Sequence, residues 1–331
     1  MRPSRKGTEF PYNTVMSDPV VWCNGRFLPQ SEAVLPWTDA GFVYGAVLVD
    51  NARTFRRQLF RWPQHLERFR RHCTLCGLAL PYSDDQLTAA AQGLIAHNAR
   101  LFDEKVEMQV VTFATPGPLG WLAGKESDGP PTVGMMAYAL PRPRYRRFFS
   151  EGVTLEITGQ QHSHPSDILP PVIKHRSRLM WYLAERRKRL SAAVPVLVNQ
   201  EGIGDTAVGA IVAVRGGTIL LPPADAVLES ISVQCLRELC QGYGIPVRES
   251  PWDLRELAAE PSGGRERLPT EPIQELLLVG TAFCVSGVRR LVSSNGERFF
   301  PWPGEMYSLL LAAWEQHVGA SIAQYFLDSA G

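Results

Sequence analysis

The side chains best suited to chemistry are one lysine and a set of polar groups far from it along the chain. Lys174 follows a Pro-Pro pair at 170–171 and is predicted to open a helix there. Its amine could attack an aldehyde once it has lost its proton. An unperturbed lysine is almost wholly protonated at neutral pH, so burial and the neighbouring cations His175, Arg176 and Arg178 would have to lower its pKa.

Polar groups elsewhere could hold the rest of such a ligand. Arg68 offers a fork of N–H donors, and Thr281 offers a hydroxyl directly after an apolar strand. A helix that begins near Ser230 would point unpaired N–H groups at an anion. Asp205 could bind a ring nitrogen and keep it protonated. Together these groups indicate an aldehyde cofactor with a phosphate and a ring nitrogen, which is pyridoxal phosphate.

Five short motifs in this order resemble the class IV aminotransferases, the fold type IV branch of the pyridoxal phosphate enzymes. The run DAGFVYG at 39–45 is similar to the family's D-x-G-F-x-Y-G, and QHLERF at 64–69 is similar to its E-H-x-x-R-L. The Ile-Lys pair at 173–174, the Leu-Pro-Pro at 221–223 and the Val-Gly-Thr-Ala at 279–282 add the others. The resemblance extends over nearly the whole chain.

The resemblance implies a fold and an activity. The fold would be α/β, with an α+β N-terminal domain and an α/β pseudo-barrel C-terminal domain. The activity would be amino-group transfer between an amino acid and a 2-oxo acid, with Lys174 carrying the cofactor and moving a proton as general acid and base. The family includes branched-chain and D-amino acid aminotransferases and 4-amino-4-deoxychorismate lyase.

The resemblance also assigns residues to the cofactor, namely Arg68, Lys174, Asp205, Ile231, Ser232 and Thr281. Asp205 stands where the family has a glutamate and is one methylene shorter. Each role has a structural alternative: Asp205 as a turn residue, Ser232 as a helix N-cap, Arg68 as a solvated charge and Lys174 as a surface lysine.

Departures from the family concentrate in the substrate pocket. Asp50 replaces a usual glutamate, Phe113 stands where several members have an arginine, and AVGA at 207–210 replaces Thr-Gly-Ser-Asn. Because an unpaired carboxylate in an apolar pocket costs several kcal/mol, glutamate is expected to be a poor donor.

The candidate substrate-binding residues are Tyr44, Arg53, Phe113 and Arg178, with Arg53 or Arg178 taking over the carboxylate. The spacing Lys-His-x-x-Arg-Leu from Lys174 is more similar to the lyase. Elimination of pyruvate from aminodeoxychorismate therefore stays an alternative activity, as does a non-catalytic relative that binds pyridoxal phosphate.

The elements that position these residues are predicted from turn residues and apolar periodicity. Hairpins are predicted at 20–28 about Asn24-Gly25 and at 211–221 about Gly216-Gly217. Further predicted strands lie around Val47 and Leu59 and at 106–112, 132–140, 194–198, 245–249 and 276–279, and further helices begin near Pro63, Ser83 and Ser230.

These elements divide the chain into a tail, two domains and a linker. The tail is 1–17, the N-terminal domain 18–140, the linker 141–150 and the C-terminal domain that binds pyridoxal phosphate 151–331. An inserted loop is expected at 258–272. The resemblance further implies a homodimer, with an active site completed across subunits by residues near Tyr44.

Composition excludes several other classes of protein. The 331 residues carry a net charge of +1, so nothing indicates nucleic acid as a partner. No run approaches the roughly 20 apolar residues of a membrane span, and the start lacks a signal peptide, so the cytoplasm is the expected compartment. The Cys73/Cys76 and His162/His164 pairs lack partners at ligand spacing, so no metal is expected.

Overall fold

The structure is a computed structural model that describes residues 18–160, 168–258 and 272–328. The expected tail, the His162/His164 pair and nearly all of the expected inserted loop lie outside the described residues. The chain divides into two compact units. Unit 1 is Met1–Leu140 with Lys174–Ser177, and unit 2 is Pro141–Ile173 with Arg178–Gly331. The short segment that contains Lys174 thus belongs with the N-terminal residues.

Unit 1 is an antiparallel sheet, and its two longest described α-helices pack against the strands. Its described strands are β1 (Val20–Cys23), β2 (Arg26–Pro29), β3 (Leu48–Phe55), β4 (Gln58–Leu59), β5 (Met108–Thr115) and β6 (Thr132–Ala139), and its α-helices are α1 (Ala40–Val43), α2 (Trp62–Leu75) and α3 (Asp84–Asn98). The strand order is β2-β1-β6-β5-β3-β4. In β3, Asp50 points to α2, which carries its hydrogen-bond partners, while the cavity described below lies on the other face.

The predicted hairpins are confirmed. β1 and β2 pair with Cys23 opposite Arg26, and both turn residues, Asn24 and Gly25, have positive φ values of 46° and 84°. Two positive φ values are what a tight two-residue hairpin turn requires, and asparagine and glycine tolerate them best. Gly216 and Gly217 make the corresponding turn in unit 2.

Unit 2 combines helices with one large mixed sheet. Its described strands are β7 (Val153–Gln160), β8 (Val194–Val198), β9 (Gly204–Thr206), β10 (Ala210–Arg215), β11 (Thr218–Leu221), β12 (Val247–Glu249), β13 (Glu275–Gly280), β14 (Cys284–Ser293) and β15 (Gly296–Phe299). Its described α-helices are α4 (Arg142–Ser150), α5 (Leu179–Arg187), α6 (Ile231–Gly242), α7 (Leu254–Ala258), α8 (Glu305–Val318) and α9 (Ile322–Leu327). In the part of the chain that the structure describes, no helix is both long and apolar enough to span a bilayer.

The sheet of unit 2 closes on itself. The order is β12-β11-β10-β13-β14-β7-β8-β9, with β15 beside β14, and β9 pairs with β10 as well as with β8. Six strands, β10-β13-β14-β7-β8-β9, therefore form a ring. Every residue of β13 is buried, and α6 and α8 pack against this strand. The expected α/β fold with a pseudo-barrel is confirmed.

The stretch expected to be a linker, 141–150, contains α4. Tyr145, Phe148 and Phe149 are buried at helical spacing, and their rings contact Phe283 and Phe326. The proline at 143 lies in the first turn, where a missing N–H costs the helix nothing. The apolar side of this segment, rather than its prolines, decides its structure.

Candidate active site

Lys174 lies in an extended segment and does not begin a helix. Its N–H donates to Nδ1 of His72 at 3.1 Å, and its carbonyl accepts from the Val49 N–H at 3.2 Å. The Arg176 N–H donates to the carbonyl of Val47, directly before β3, at 2.7 Å. The prediction of a helix from Lys174 is wrong, because this pairing uses the main-chain groups that a helix would need. The helix, α5, begins at Leu179.

Helix α2 presents a stripe of buried polar side chains to this segment. His65, Arg68 and His72 are spaced by three and four residues, so they share one face, and all three are buried. Asp50 on β3 lies against that face. Its carboxylate accepts from Nε of Arg68 at 2.8 Å and from Nη2 at 2.9 Å, and it contacts Nδ1 of His65 at 2.7 Å. Arg68 is therefore a buried, oriented cation and not a solvated charge.

Burial and the neighbouring charges shift the pKa values of the ionisable side chains in this cluster. Burial alone would raise the pKa of Asp50, but the Arg68 charge and the His65 hydrogen bond hold that pKa well below its usual range. Burial lowers the pKa of His65, against the opposing effect of Asp50. Burial, then Arg68 and Arg71, lower the pKa of His72 to about 4. The ammonium of Lys174 also lowers the pKa of both histidine rings.

Unit 1 is expected to lose stability as the pH falls from about 6.5 to about 4. The folded-state pKa of His72 is about 4, against an ordinary 6.5. Between these values the unfolded chain binds a proton that the folded chain does not, so folding stability falls with falling pH. Burial also lowers the pKa of His65, so this residue too makes folding stability fall with falling pH. Urea unfolding across this pH range measures the slope.

The control for this prediction is His72→Asn, which removes the titrating ring and keeps a hydrogen-bond acceptor. Its free energy of unfolding should depend less steeply on pH in the same range. Equal slopes for parent and variant would show that His72 is not the group responsible.

In unit 2, Asp205 lies where the strand ring closes. Its main chain pairs with Leu197 on β8 and with Ala210 on β10, so it is a strand residue rather than a turn residue. Its Oδ1 accepts from the Thr206 N–H at 2.7 Å. The Thr206 hydroxyl donates to the Gly209 carbonyl at 2.6 Å and shapes the loop that follows. The carboxylate thus belongs to a strand that is paired on both sides.

The candidate phosphate donors of unit 2 lie at a helix start and a strand end. Helix α6 begins at Ile231 and is capped by Ser230, whose Oγ accepts from the Val233 N–H at 3.3 Å. Ser232 is therefore not the N-cap, and its side chain is buried in the first turn. The first N–H groups of a helix have no acceptor within it. Thr281 directly follows β13.

Two glycines bring the Asp205 loop against the strand end that leads to Thr281. A Cβ added at Gly209 would lie 2.6 Å from the Val279 carbonyl oxygen, and one at Gly280 would lie 2.5 Å from the Val208 carbonyl oxygen. Neither position has room for a side chain. The structure thus holds the loop after Asp205 and the turn at Thr281 together.

These donors fit pyridoxal phosphate. Unit 1 supplies a lysine amine and a buried, oriented arginine, and unit 2 supplies a carboxylate on a paired strand, a helix N-terminus and a hydroxyl. Within unit 2, Ile231, Ser232 and Thr281 would suit a phosphate and Asp205 a ring nitrogen, and within unit 1 Arg68 would offer an anion its N–H donors.

The candidate substrate residues have very different surroundings. Tyr44 is exposed at the end of α1. Arg53 is only 2% exposed, its Nε donates to the Thr54 carbonyl at 3.1 Å, and its guanidinium lies 4.0 Å from the centre of the Phe55 ring. Arg53 is therefore a buried cation within unit 1. Arg178 is exposed in unit 2 and donates to the Ala207 carbonyl at 2.9 Å.

Phe113 lines a cavity of about 430 Å³ on the sheet face of unit 1 opposite α2. Its ring lies over Gly134, where a Cβ would come within 2.4 Å of it. The other lining residues are nearly all apolar, among them Trp37, Val111 and Met136. The cavity also contains one cation, from a residue that the sequence analysis did not assign to the substrate: Arg176.

Sequence reasoning missed His72 and gave Asp50 no partner. The spacing of His65, Arg68 and His72 along α2 is a local pattern that could have grouped them. Nothing in the sequence pairs Asp50 with Arg68 or brings Lys174 to His72, since those contacts join distant segments.

The chain is similar in sequence to a known protein family. The model of the family described as amino-transferase class IV matches residues 47–291. The probable branched-chain-amino-acid aminotransferase of Rickettsia bellii is 22% identical over 288 residues, which are 85% of this chain and 90% of that protein. The D-alanine aminotransferase of Listeria innocua is 24% identical over 240 residues, which are 72% of this chain and 80% of that protein.

Solved structures share the fold. The branched-chain aminotransferase from Thermoproteus uzoniensis with norvaline has a TM-score of 0.74 at 21% identity and covers 91% of this chain and 95% of its own. The branched-chain amino acid aminotransferase from Escherichia coli has a TM-score of 0.71 at 16% identity and covers 92% of this chain and 94% of its own. The family model extends over well more than half of the sequence. The chain therefore belongs to the class IV aminotransferase family, whose members are pyridoxal phosphate enzymes.

Proposed function

We propose that this enzyme transfers the amino group of an amino acid with an apolar side chain to a 2-oxo acid, with the cofactor held on Lys174. The observation that carries the substrate class is the cavity of about 430 Å³ in unit 1, which lies within the size range of small-molecule sites. Its lining is apolar except for Arg176 and a threonine, so it suits an apolar side chain with one carboxylate.

The residues divide the chemistry among them. When bound, pyridoxal phosphate supplies the electron sink that makes the substrate Cα proton acidic. Nζ of Lys174 removes that proton as a general base and returns it as a general acid. The Asp205 carboxylate keeps the ring nitrogen protonated. Arg68, Ile231, Ser232 and Thr281 neutralise and orient the phosphate. Asp50 holds Arg68 in place for this role.

A second copy of the chain is the proposed partner. Residues 34–44 of unit 1 expose large apolar side chains, with Trp37 84% and Phe42 69% exposed and Tyr44 also on the surface. Contiguous exposed apolar surface of this kind marks an interaction site. The family resemblance implies an active site completed across subunits by residues near Tyr44, which lies in this patch. A homodimer would cover the patch.

The cytoplasm remains the proposed compartment. All six cysteines lie among the described residues, and they form no disulfide bond there. Burial raises the pKa of Cys73 to about 12, so its thiol is not poised for redox or metal chemistry. Free thiols of this kind are usual where the surroundings are reducing.

Branched or aromatic amino acids are expected to be better donors than glutamate by at least about tenfold in kcat/KM, which is about 1.4 kcal/mol. The reason is that the cavity offers one cation, and a second carboxylate would be desolvated without a partner. Arg176→Ala should lower kcat/KM for the apolar donors by about the same factor. Steady-state kinetics with a set of amino donors measure both effects.

Arg178→Ala is the matched control, because it removes a guanidinium two residues away that belongs to unit 2. If kcat/KM fell only in Arg178→Ala, Arg178 and not Arg176 would bind the substrate carboxylate. Efficient glutamate turnover by the parent and both variants would contradict the proposed substrate class. Release of pyruvate and 4-aminobenzoate from aminodeoxychorismate, without amino-group transfer, would establish the lyase alternative.

A further inference from the structure

Both peptide groups that flank the Lys174 Cα are hydrogen-bonded within unit 1. On the C-terminal side, the Lys174 carbonyl accepts from the Val49 N–H at 3.2 Å. On the N-terminal side, the Lys174 N–H donates to Nδ1 of His72 at 3.1 Å. The bond to Val49 joins two main-chain groups and does not depend on a side chain. The bond to His72 exists only because a suitable acceptor stands at position 72.

The surroundings of His72 favour the neutral ring, in which Nδ1 can accept a hydrogen bond. Nδ1 accepts a hydrogen bond only in a neutral ring whose proton is on Nε2. The side chain is 1% exposed. The charged groups that face it are Arg68 and Arg71 from α2, Asp50 from β3 and Lys174 from the extended segment. Three cations face one carboxylate, which is already bound to Arg68, so an added positive charge on the ring is strongly disfavoured.

We propose that His72 is a positioning residue for Lys174: its neutral imidazole accepts the Lys174 main-chain N–H and so fixes the backbone from which the amine projects. The inference rests on the proposed role of Lys174 as the cofactor lysine. A displacement of about 1 Å in a reacting group can cost about a hundredfold in rate. Because both flanking peptide groups are hydrogen-bonded, the Lys174 Cα has little freedom to move. The amine therefore projects from a fixed position.

The test compares two substitutions of His72 in the full-length holoenzyme. His72→Asn places an amide oxygen near the position of Nδ1 and keeps an acceptor. His72→Leu has a similar volume and no acceptor. His97→Leu, on α3, controls for a histidine-to-leucine change elsewhere in unit 1. The readouts are hydrogen exchange at the Lys174 amide, kcat and KM, and the pH midpoint of the absorbance of the bound cofactor.

His72→Leu is expected to speed exchange at the Lys174 amide by at least about tenfold, because the bond that protects it is gone. It should lower kcat by at least about tenfold with KM within about threefold, and shift the pH midpoint of the cofactor absorbance. His72→Asn and His97→Leu should stay within about threefold of the parent in each readout.

Parent-like exchange and kcat in a folded His72→Leu protein would overturn the proposal. So would a His72→Asn variant with the Lys174 amide unprotected, and this outcome decides the matter even where His72→Leu does not fold. The amide exchange does not depend on the cofactor role of Lys174. If Lys174→Ala retained the covalently bound cofactor, the proposed function would fail, whatever the exchange at position 174 shows.

Discussion

Lys174→Ala is expected to abolish covalent attachment of the cofactor and to lower kcat by at least about a thousandfold, since acid–base catalysis and cofactor attachment are lost together. The fold of unit 1 should persist, because the main-chain hydrogen bonds of Lys174 to His72 and Val49 remain possible in the alanine variant. The measurements are kcat with an amino donor, and borohydride reduction of the protein followed by mass spectrometry.

Two controls make this result specific. Lys105→Ala removes an exposed lysine of unit 1 and should leave both readouts unchanged. Lys174→Arg keeps a positive charge, but its guanidinium does not lose a proton near neutral pH, so it should be as inactive as the alanine variant. An active arginine variant would mean that position 174 supplies only charge.

Asp50→Ala is expected to destabilise the protein by about 3–5 kcal/mol, because it leaves the buried guanidinium of Arg68 without its carboxylate. His65 loses its partner at the same time. Chemical denaturation of parent and variant measures the change in the free energy of unfolding.

Asp84→Ala is the matched control for this loss. Asp84 pairs with Arg70, also on α2, but both side chains of this pair are partly exposed. A surface pair contributes only about 0–1 kcal/mol. Similar losses in the two variants would show that burial of the Asp50–Arg68 pair has no special effect on stability.

What the sequence could predict depended on how local the determining interactions are. The hairpins at Asn24-Gly25 and Gly216-Gly217 follow from two adjacent residues that accept positive φ, so they were predicted correctly. Helix α3 was also predicted near its observed start, where Ser83 makes a capping box with Gln86.

Non-local pairing explains the elements that were wrong or missed. The helical spacing of apolar residues after Lys174 continues only from Leu179, since Lys174–Ser177 pair with β3 or bind the loop that precedes this strand. Strand β7 pairs in parallel with both β8 and β14, which are remote in sequence, and no turn marks it. Its position in the ring could not be inferred from its own residues.

The same difference between local and non-local interactions applies to the candidate active site. Motif order was enough to single out Lys174, Arg68 and Asp205, because each stands in a short recognisable pattern. It could not show that Asp50 binds Arg68, nor that Arg53 is buried while Arg176 lines the cavity. Those facts depend on which face of a strand each side chain occupies and on what packs against that face.

The most direct test of the central claim is to locate the cofactor on the chain. The parent enzyme, purified with pyridoxal phosphate, is reduced with borohydride, digested and mapped by mass spectrometry. Lys174 as the cofactor lysine predicts the reduced cofactor on the peptide that contains this residue and on no other. The same mass addition on a different lysine, or its absence from a preparation that turns over amino donors, would contradict the assignment.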